Sequence, residues 1–568
     1  MNRNIMVTVA VAGLIVAACD SGDINIQPST TVTDSNNTVN QSGGGTTNPC
    51  AAYVNSGGQT IQGSYDGTDC NYPESFVGAG NNLTVDLTIP ALPNGGAHIF
   101  EGSLFVGETY RSDAELAANG IVRGGDGAVL TIEAGATLAW RTSSNFLIIN
   151  RGSQIFAVGT AANPISFTSV SDVEGTVGAE DVQQWGGIVI NGFGVTNKCA
   201  YTGTRGQPGF ALAGECHVDA EGAAGLDESQ YGGDNDDDSS GRLEYVIVKH
   251  TGATVGNGDE LNGISFGGVG RNTIVRNLQV YSTFDDGIEM FGGAVSFENF
   301  VALYVRDDAI DIDEGWQGSI TRSLVIQSET DGNHCIEADG IGDYANLDAA
   351  ARADFVARNL NSRATIRNLT CIVSPNGAAT ATHDPGAGWR LREGLWFDIS
   401  DTLLISSFAA NDTTSANDNY CLRIQDQETI DGANNGDSNL NSVVYACQET
   451  YRDAFNRTFA EAEGNVAAGT AAASPGLPTG VVTSATSVND ANLQLLEGVL
   501  PIYSIDFATS VVCLNAACDD ATAPAATATP TQGTFLGALS LGETDWAQGW
   551  AYGIYSGNRA QPLWFEAL

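Results

Sequence analysis

The chain has 568 residues and carries 23 Lys and Arg against 67 Asp and Glu, which gives a formal net charge of −44. This balance excludes a nucleic-acid-binding surface, because such a surface needs clustered Lys and Arg to displace counterions. The 69 glycines, together with frequent Asn, Asp and Thr, are typical of short strands joined by tight turns.

Residues 1–18 have the pattern of a lipoprotein signal peptide. Arg3 lies in a short polar segment, and an apolar run follows from Ile5 to Ala18. The run is shorter than the ~20 residues of a transmembrane helix and has the length of a signal-peptide core. It ends in Val-Ala-Ala-Cys19, which resembles the lipobox of bacterial lipoproteins. The resemblance implies that Cys19 carries lipid, with acyl chains such as palmitate. We therefore expect a membrane-anchored cell-envelope protein, at the outer membrane or the cell surface.

The rest of the chain divides by composition. Residues 19–49 contain the lipidated cysteine and a tether rich in Ser, Thr, Asn and Gly, a composition typical of disorder. We expect residues 50–80 to form a disulfide-bonded N-terminal cap and residues 81–400 to form the main solenoid. Residues 401–568 are then C-terminal coils with long loops and a capping region.

Ten cysteines remain once Cys19 is set aside. Export places them in an oxidising compartment, where disulfides persist. Contacts in a solenoid are local, so neighbours in the sequence are expected to pair. The predicted disulfides are Cys50–Cys70, Cys199–Cys216, Cys335–Cys371, Cys421–Cys447 and Cys513–Cys518.

Similar short strands recur along the chain. Leu130–Gly135 is echoed 17 residues later by Leu147–Gly152. In the central part, equivalent isoleucines follow in steps of 24, 22 and 26 residues, at Ile264, Ile288, Ile310 and Ile336. A second strand repeats in phase and predicts equivalent positions for Leu278, Phe300 and Leu324.

These repeats predict an all-β fold, a right-handed parallel β-helix. The strands alternate apolar and polar residues, and a single coil is too short to bury a core. Stacked coils bury a continuous core, and crossovers of one sense give a right-handed coil. The alternative is a β-sandwich, which has antiparallel hairpin signals every ~8–12 residues. Few such signals are present.

Several motifs add a family resemblance. The strand Leu243–His250, the segments Phe266–Gly270 and Asp285–Glu289, and the closing Trp546–Trp550 and Pro562–Phe565 are similar to a group of bacterial surface β-helix proteins. The resemblance implies the fold and export but supplies no agreed activity. More distantly, the architecture is similar to that of pectate lyases and polygalacturonases.

The densest acidic segment contains Asp234, Asp236 and Asp238, followed by Ser240 and a glycine. Alternating oxygen ligands of this kind resemble a calcium loop. The spacing of an EF-hand is incomplete, because the twelfth loop position is Tyr245 rather than Glu. The segment is therefore either a calcium site, with calcium as the expected cofactor, or a solvated acidic turn.

A second group of carboxylates recurs at the coil period, which places it on one face. Its candidate catalytic residues are Asp286, Glu289, Asp308 and Asp311, with Asp285, Asp307, Glu337 and His334 nearby. Paired carboxylates serve glycoside hydrolysis as acid and base. The alternatives are Asp side chains that cap backbone N–H groups, or a ladder of cation ligands. The Gly-His-Gly and Arg-x-Lys motifs of polygalacturonases are absent, which leaves no visible partner for an anionic sugar.

Aromatic residues on the surface of a solenoid can stack on sugar rings, although such residues are more often core or corner packing. The candidates are Trp316, Trp389, Trp396, Trp546 and Trp550.

These observations leave three functions open. The first is a surface lipoprotein without catalytic activity that binds glycan or another surface partner along one β-helix face. The second is a polysaccharide lyase or glycoside hydrolase that uses the stacked carboxylates. The third is a structural or accessory subunit of an outer-membrane system. The expected partners are a membrane, through the lipid, and a polysaccharide or an outer-membrane protein.

Cys19→Ala tests the anchor. The variant is expected to lose the lipid and to appear in the soluble fraction or as an unprocessed precursor, because no acyl chain then holds it in the bilayer. Membrane fractionation and metabolic lipid labelling measure this. A variant that keeps its label and fractionates like the parent protein contradicts the lipoprotein interpretation.

Overall fold

The structure of the protein is a computed structural model. It describes residues 48–77, 80–121, 125–221, 229–254, 260–374, 386–405, 420–446, 449–452, 466–468, 504–506, 511–513, 537–539 and 545–564. The predicted signal peptide and Cys19 lie outside these residues, as does nearly all of the tether.

The chain forms short strands throughout the described residues. In chain order they are β1 Ala52–Val54, β2 Thr60–Gln62, β3 Ser64–Tyr65, β4 Cys70–Tyr72, β5 Leu87–Ile89, β6 Ala97–Phe100, β7 Leu104–Val106, β8 Val129–Ile132, β9 Thr137–Trp140, β10 Leu147–Ile149, β11 Gln154–Val158, β12 Ile165–Ser169, β13 Ile188–Asn191, β14 Tyr201–Thr202, β15 Ala211–Leu212, β16 Val218–Asp219, β17 Gln230–Tyr231, β18 Gly241–Lys249, β19 Ile264–Gly267, β20 Ile274–Tyr281, β21 Ile288–Phe291, β22 Ser296–Leu303, β23 Ile310–Asp313, β24 Ser319–Ile326, β25 His334–Asp339, β26 Arg363–Ile372, β27 Ala387–Arg392, β28 Trp396–Ile405, β29 Tyr420–Ile424, β30 Asn439–Ala446, β31 Glu449–Arg452, β32 Val466–Ala468, β33 Ser504–Asp506 and β34 Val511–Cys513.

Helices are short and lie between the strands. They are α1 Asp113–Ala118, α2 Val170–Val173, α3 Ala349–Ala357 and α4 Gln427–Asn435, with 3₁₀ turns at Pro93–Gly95 and Tyr344–Asn346. None of the helices in the described part of the chain has the length and apolar character that a membrane crossing needs.

Most strands belong to two long parallel sheets. Sheet 1 runs β7-β10-β13-β19-β21-β23-β25-β27-β29-β31, so each strand pairs with its counterpart one coil later. Sheet 2 contains β4, β6, β9, β12 and then β18, β20, β22, β24, β26, β28, β30 and β32. The parallel, coil-by-coil pairing confirms the predicted all-β parallel β-helix.

The long strands of sheet 2 each bend once in the middle. The bend falls on a residue with φ between 50° and 62°, namely Tyr245, Asn277, Asn299, Arg322, Asn368 and Asp401 in successive coils. Asn tolerates this left-handed conformation better than most residues, which explains its recurrence. The Asn299 side chain donates to Asn277 Oδ1 at 2.9 Å, one coil away. The bend divides sheet 2 into two faces, and sheet 1 supplies a third.

Apolar side chains from all three faces fill the interior. Near the N-terminal end, aromatic rings stack on successive coils, with centroids 4.7 Å apart for Tyr72 and Phe100 and 5.6 Å apart for Phe100 and Trp140. The Trp140 ring also lies 4.3 Å from that of Trp185 and nearly parallel to it. A continuous core therefore runs along the axis, as stacking of short coils requires.

Two of the predicted strand equivalences are wrong. Phe300 pairs with Ser323, and Leu324 pairs with Val301, so the predicted register of β24 is one residue off. Leu324 points outward although it is apolar. Its apolar character is the reason that the sequence pattern predicts an inward position for it. Leu130 pairs with Ile155 of β11, whereas Leu147 belongs to sheet 1, so their similar sequences reflect similar turns rather than successive coils.

A C-terminal strap, residues 545–564, explains the outward apolar residues. It packs on the outer face of sheet 2 against a cluster that includes Leu303 and Leu324. Gln279 holds the strap by exchanging two hydrogen bonds of 2.7 Å with the backbone of Tyr552. The strap thus covers a stripe that the alternation rule assigns to solvent.

Between described residues the structure contains the disulfides Cys50–Cys70, Cys199–Cys216 and Cys335–Cys371, and each joins neighbours in the sequence as expected. Cys421 is also disulfide-bonded. Cys447 and Cys518 lie outside the described residues.

The candidate tryptophans pack in the core or are half-buried, which was the favoured alternative, and do not form an exposed sugar-stacking surface. Trp316, Trp389 and Trp550 are at most 1% exposed, and Trp396 and Trp546 are half-buried. They fill the core and the strap contact, so they are not positioned to stack on sugars.

Trp140→Ala tests the stacked core. We expect the free energy of unfolding to fall by roughly 3–5 kcal/mol, because a large ring between other rings leaves a cavity. Val158→Ala is the control, since Val158 is 37% exposed and its truncation should stay within about 0.5 kcal/mol. Urea titration followed by Trp fluorescence measures both, and equal effects would contradict the stacked-core interpretation.

Candidate functional site

One outward column of side chains runs along the whole of sheet 1. Its members are directly in register from coil to coil: Phe105, Ile148, Val189, Ser265, Glu289, Asp311, Glu337, Arg390, Arg423 and Arg452. The column is apolar over its first three coils, acidic over three central coils and basic over the last three. We call the part from Ser265 to Arg452 the polar column.

A second row of side chains, which we call the turn ladder, lies in the turns that precede these strands. Asn262 Oδ1 accepts from the backbone N–H of Asp286 at 3.2 Å. Asp286 Oδ1 accepts from Asp308 N–H at 2.9 Å, and Asp308 Oδ1 accepts from His334 N–H at 2.6 Å. The two aspartates therefore cap backbone N–H groups, but of the next coil rather than of their own turn.

The two ladders bring carboxylates together in threes. In each group one oxygen or nitrogen from every residue lies within 4.8 Å of the others. The groups are Asp285–Asp286–Asp307, Asp286–Glu289–Asp311 and Asp308–His334–Glu337. Any of these triads has the donor set of a cation site, and oxygen ligands favour hard cations such as calcium.

These carboxylates are also deeply placed. Burial, followed by the charge of Asp311, raises the pKa of Asp286 well above its usual range. Burial and the charge of Glu221 do the same to the pKa of Glu289. Burial and the charge of Glu337 raise the pKa of Asp311. Oxygen Oδ1 of Asp311 is buried and has no hydrogen-bond partner among the described residues. Such an oxygen is costly unless a proton or a cation approaches it.

Arginines compensate the last acidic coil. Glu337 Oε1 lies 2.6 Å from Arg392 and 3.2 Å from Arg390, and Arg392 also contacts Asp339 at 2.6 Å. Burial tends to raise the pKa of Glu337, but its hydrogen bond with Asp308 and the charges of His334 and the arginines hold that pKa below its usual range. Glu337 is thus an ionised anchor for the arginines, unlike the acidic residues of the earlier coils.

His334 connects the turn ladder to the basic half. Its Nδ1 lies 2.8 Å from Asp308 Oδ1, and its Nε2 lies 3.0 Å from the hydroxyl of Tyr420. When Nδ1 carries the proton it donates to Asp308 Oδ1, and Nε2 then accepts from the Tyr420 hydroxyl. The guanidinium of Arg452 lies 4.5 Å from the centre of the Tyr420 ring.

An insertion between β13 and β18 borders the other end of the polar column. Its hairpin of β16 and β17 packs on the apolar start of the column. Tyr231 on this hairpin donates to Glu314 at 2.6 Å. Glu221 follows the hairpin strand and accepts from Asn262 Nδ2 at 3.1 Å, and the same amide group donates to Glu289 at 2.6 Å.

Comparison with known proteins identifies the family of this chain. The profile of the pectate-lyase-like β-helix domain matches residues 107–482, more than half of the chain. The chain belongs to this family. No curated protein and no solved structure matches it at a significant level. Membership agrees with the resemblance seen in the sequence motifs, and the matched residues contain the entire polar column.

In this β-helix protein the predicted calcium loop has other partners. Asp236 forms a two-pronged ion pair with Arg205, both contacts at 2.8 Å. Asp238 Oδ2 accepts from the backbone N–H of Phe193 at 2.8 Å. Asp234 is exposed and does not join them in any ligand group of the described residues. Asp236 and Asp238 thus join parts of the insertion to one another, and Arg205 links the insertion to the β-helix by donating to the carbonyls of Gly293 and Gly315.

The four candidate catalytic residues do come together, but the sequence did not reveal their basic neighbours. The absence of an Arg-x-Lys motif suggested that the carboxylates have no basic neighbours, whereas Arg390 lies one coil after Glu337. Arg390 and Arg423 are 33 positions apart in the sequence and become neighbours only through register. The pattern Arg-Leu-Arg at 390–392, in phase with Glu337 and Asp339, was the available signal.

The raised carboxyl pKa values predict a stability that depends on pH. A carboxyl whose pKa is higher in the folded than in the unfolded state adds stability below its unfolded value of ~4 and loses it as pH rises through the folded value. In EDTA we therefore expect the melting temperature to fall between about pH 4 and the pKa of Asp285, about 8. Asp311→Asn should make this fall smaller.

Asp398→Asn is the matched control. Asp398 lies on sheet 2 with its side chain 42% exposed, so its replacement should leave the slope unchanged. Differential scanning calorimetry over this pH range measures the effect. A melting temperature that rises with pH over the same interval would show that the pKa values of the acidic residues are not raised in the folded state.

Proposed function

We propose that this protein is a lipid-anchored envelope protein that binds an anionic polysaccharide along the polar column. The observation that carries the proposal is the change from carboxylates to arginines on consecutive coils of one straight column. A linear polymer lying along the axis then meets both kinds of group in order.

The proposed cofactor of the acidic half of the polar column is a divalent cation, with calcium as the main candidate. The Asp286–Glu289–Asp311 group supports this, because three carboxylates are close together and Asp311 Oδ1 is buried without a hydrogen-bond partner. A cation would neutralise the mutual repulsion and leave coordination positions for acidic groups of the polymer. We therefore propose the cation site at the polar column and not at the Asp234 segment, where the sequence predicts it.

The basic half supports the anionic character of the ligand. The side chains of Arg390 and Arg392 are 27% and 25% exposed, so their outer donors remain accessible. Arginine binds carboxylates through two parallel hydrogen bonds, which gives both affinity and orientation. The family name, which refers to pectate lyases, supports a polysaccharide rather than another polymer.

The lipid anchor is proposed from the sequence. The lipobox at Cys19 and the polar tether that follows place the β-helix near a membrane surface, where extended polysaccharides are found. The placement at the outer membrane or cell surface follows from the same motif.

A second candidate function is polysaccharide cleavage. The contacts between Asp308, His334 and Tyr420 favour it, because they form a hydrogen-bonded relay beside raised-pKa carboxyls. Such groups can accept and donate protons at a bound sugar. Asp286, Glu289, Asp308 and Asp311 remain the candidate residues for this chemistry.

Polygalacturonate binding with calcium tests the proposal. Arg390→Gln is expected to raise the Kd by about ten- to a hundredfold, since a lost charge-assisted hydrogen bond costs roughly 1.5–3 kcal/mol. Arg367→Gln is the matched control, because Arg367 is similarly exposed but lies on sheet 2. Isothermal titration calorimetry measures both, and EDTA should abolish binding by the parent protein.

Two outcomes would decide against the proposal. Equal effects of the two arginine variants would remove the polar column as the site. Release of unsaturated products, followed by ultraviolet absorbance and lost in Asp308→Asn without a lower melting temperature, would favour the lyase instead. Neutral polysaccharides serve as the negative ligand control in both assays.

A further inference from the structure

The apolar start of the outward column is covered by protein. Phe105, Ile148 and Val189 point away from the core, yet each is at most 2% exposed. They pack in one cluster with Val218 and Tyr231, which belong to the β16–β17 hairpin. The hairpin therefore occupies the space above the first three coils, where the column would otherwise continue.

The hairpin is firmly held. Buried Arg151 donates to the backbone carbonyls of Cys216 and Gly232 at 2.8 and 2.7 Å, so one side chain ties both ends of the hairpin segment. The Cys199–Cys216 disulfide adds a covalent link in the same insertion. Tyr231, wholly buried, donates to Glu314 on the β-helix. These contacts hold the described residues of the hairpin against the β-helix, and we call these residues, 216–221 and 229–232, the wall.

The wall contacts the polar column through Asn262. Glu221 lies two residues after the end of β16 and shares the Asn262 amide with Glu289, the first acidic residue of the column. From Glu289 to Arg452 the column then continues over five coil steps, about 24 Å at the ~4.8 Å strand spacing. A polymer on the column has this length available on one side and a wall on the other.

We infer that the polar column receives the end of a polysaccharide chain, with the terminal sugar against the Glu221 wall. This inference rests on the proposed polysaccharide binding and specifies which part of the polymer is bound. The carboxylate of Glu221, which is partly exposed beside Glu289, can accept hydrogen bonds from hydroxyl groups of a terminal residue. An internal residue would need the chain to continue over Ile148 and Val189, through the space that Val218 and Ala220 occupy.

Partial hydrolysis of polygalacturonate separates end binding from internal binding. Shortening the polymer at constant sugar mass multiplies its ends, so an end binder gains affinity per unit mass in proportion, about tenfold for tenfold more ends. The titration uses the full-length protein with calcium. An affinity per unit mass that does not change with chain length would overturn the inference while leaving the proposed function intact. No binding at any length would overturn both.

Glu221→Gln supplies the test on the protein side. Its matched control is Asp219→Asn, on the exposed side of the same hairpin, where Asp219 accepts from Gln230 at 2.8 Å. We expect Glu221→Gln to weaken binding of short oligogalacturonates about tenfold, with Asp219→Asn close to the parent protein. Equal affinities for both variants, with unchanged melting temperatures, would show that the terminal sugar does not contact the wall.

Discussion

The stacking of one residue directly above its counterpart governs the rest of this structure. Parallel pairing without gaps places equivalent side chains about 4.8 Å apart along the axis. Each column must therefore be compatible with itself: apolar columns form the core, and asparagines in successive coils hydrogen-bond to one another, as Asn277 and Asn299 do. Like charges in successive coils repel one another and cannot stabilise one another in this way. Their charge must therefore be balanced by other groups.

The polar column of sheet 1 is the place where this constraint is most severe. Three acidic coils lie next to each other, and burial together with mutual repulsion raises the pKa values of Glu289 and Asp311. At Glu337 the positive charges of Arg390 and Arg392 offset this repulsion. No equivalent basic group is seen beside Glu289 in the described residues. This asymmetry is the physical reason to expect a cation at one end and an anionic group at the other.

Two segments outside the coil repeat decide which outward residues reach the solvent. The β16–β17 hairpin covers the apolar start of the column, and the C-terminal strap covers the outer stripe of sheet 2 around Leu324. Both bury apolar side chains that the solenoid exposes on its outside. The polar column from Glu289 onwards continues beyond the residues that the hairpin covers.

The sequence by itself determined the features that depend on local spacing. The lipobox, the coil period and the pairing of neighbouring cysteines such as Cys335 and Cys371 all follow from residues that are close in the chain or recur at regular intervals. The acidic side chains of the site could be found in the same way, since they recur with the coil. Tertiary structure alone decided the rest. Coils differ in length, so register determines that Arg390 and Arg423 adjoin the acidic coils and that Leu324 points outward. Which outward residues are covered depends on the hairpin and the strap, whose positions no repeat encodes.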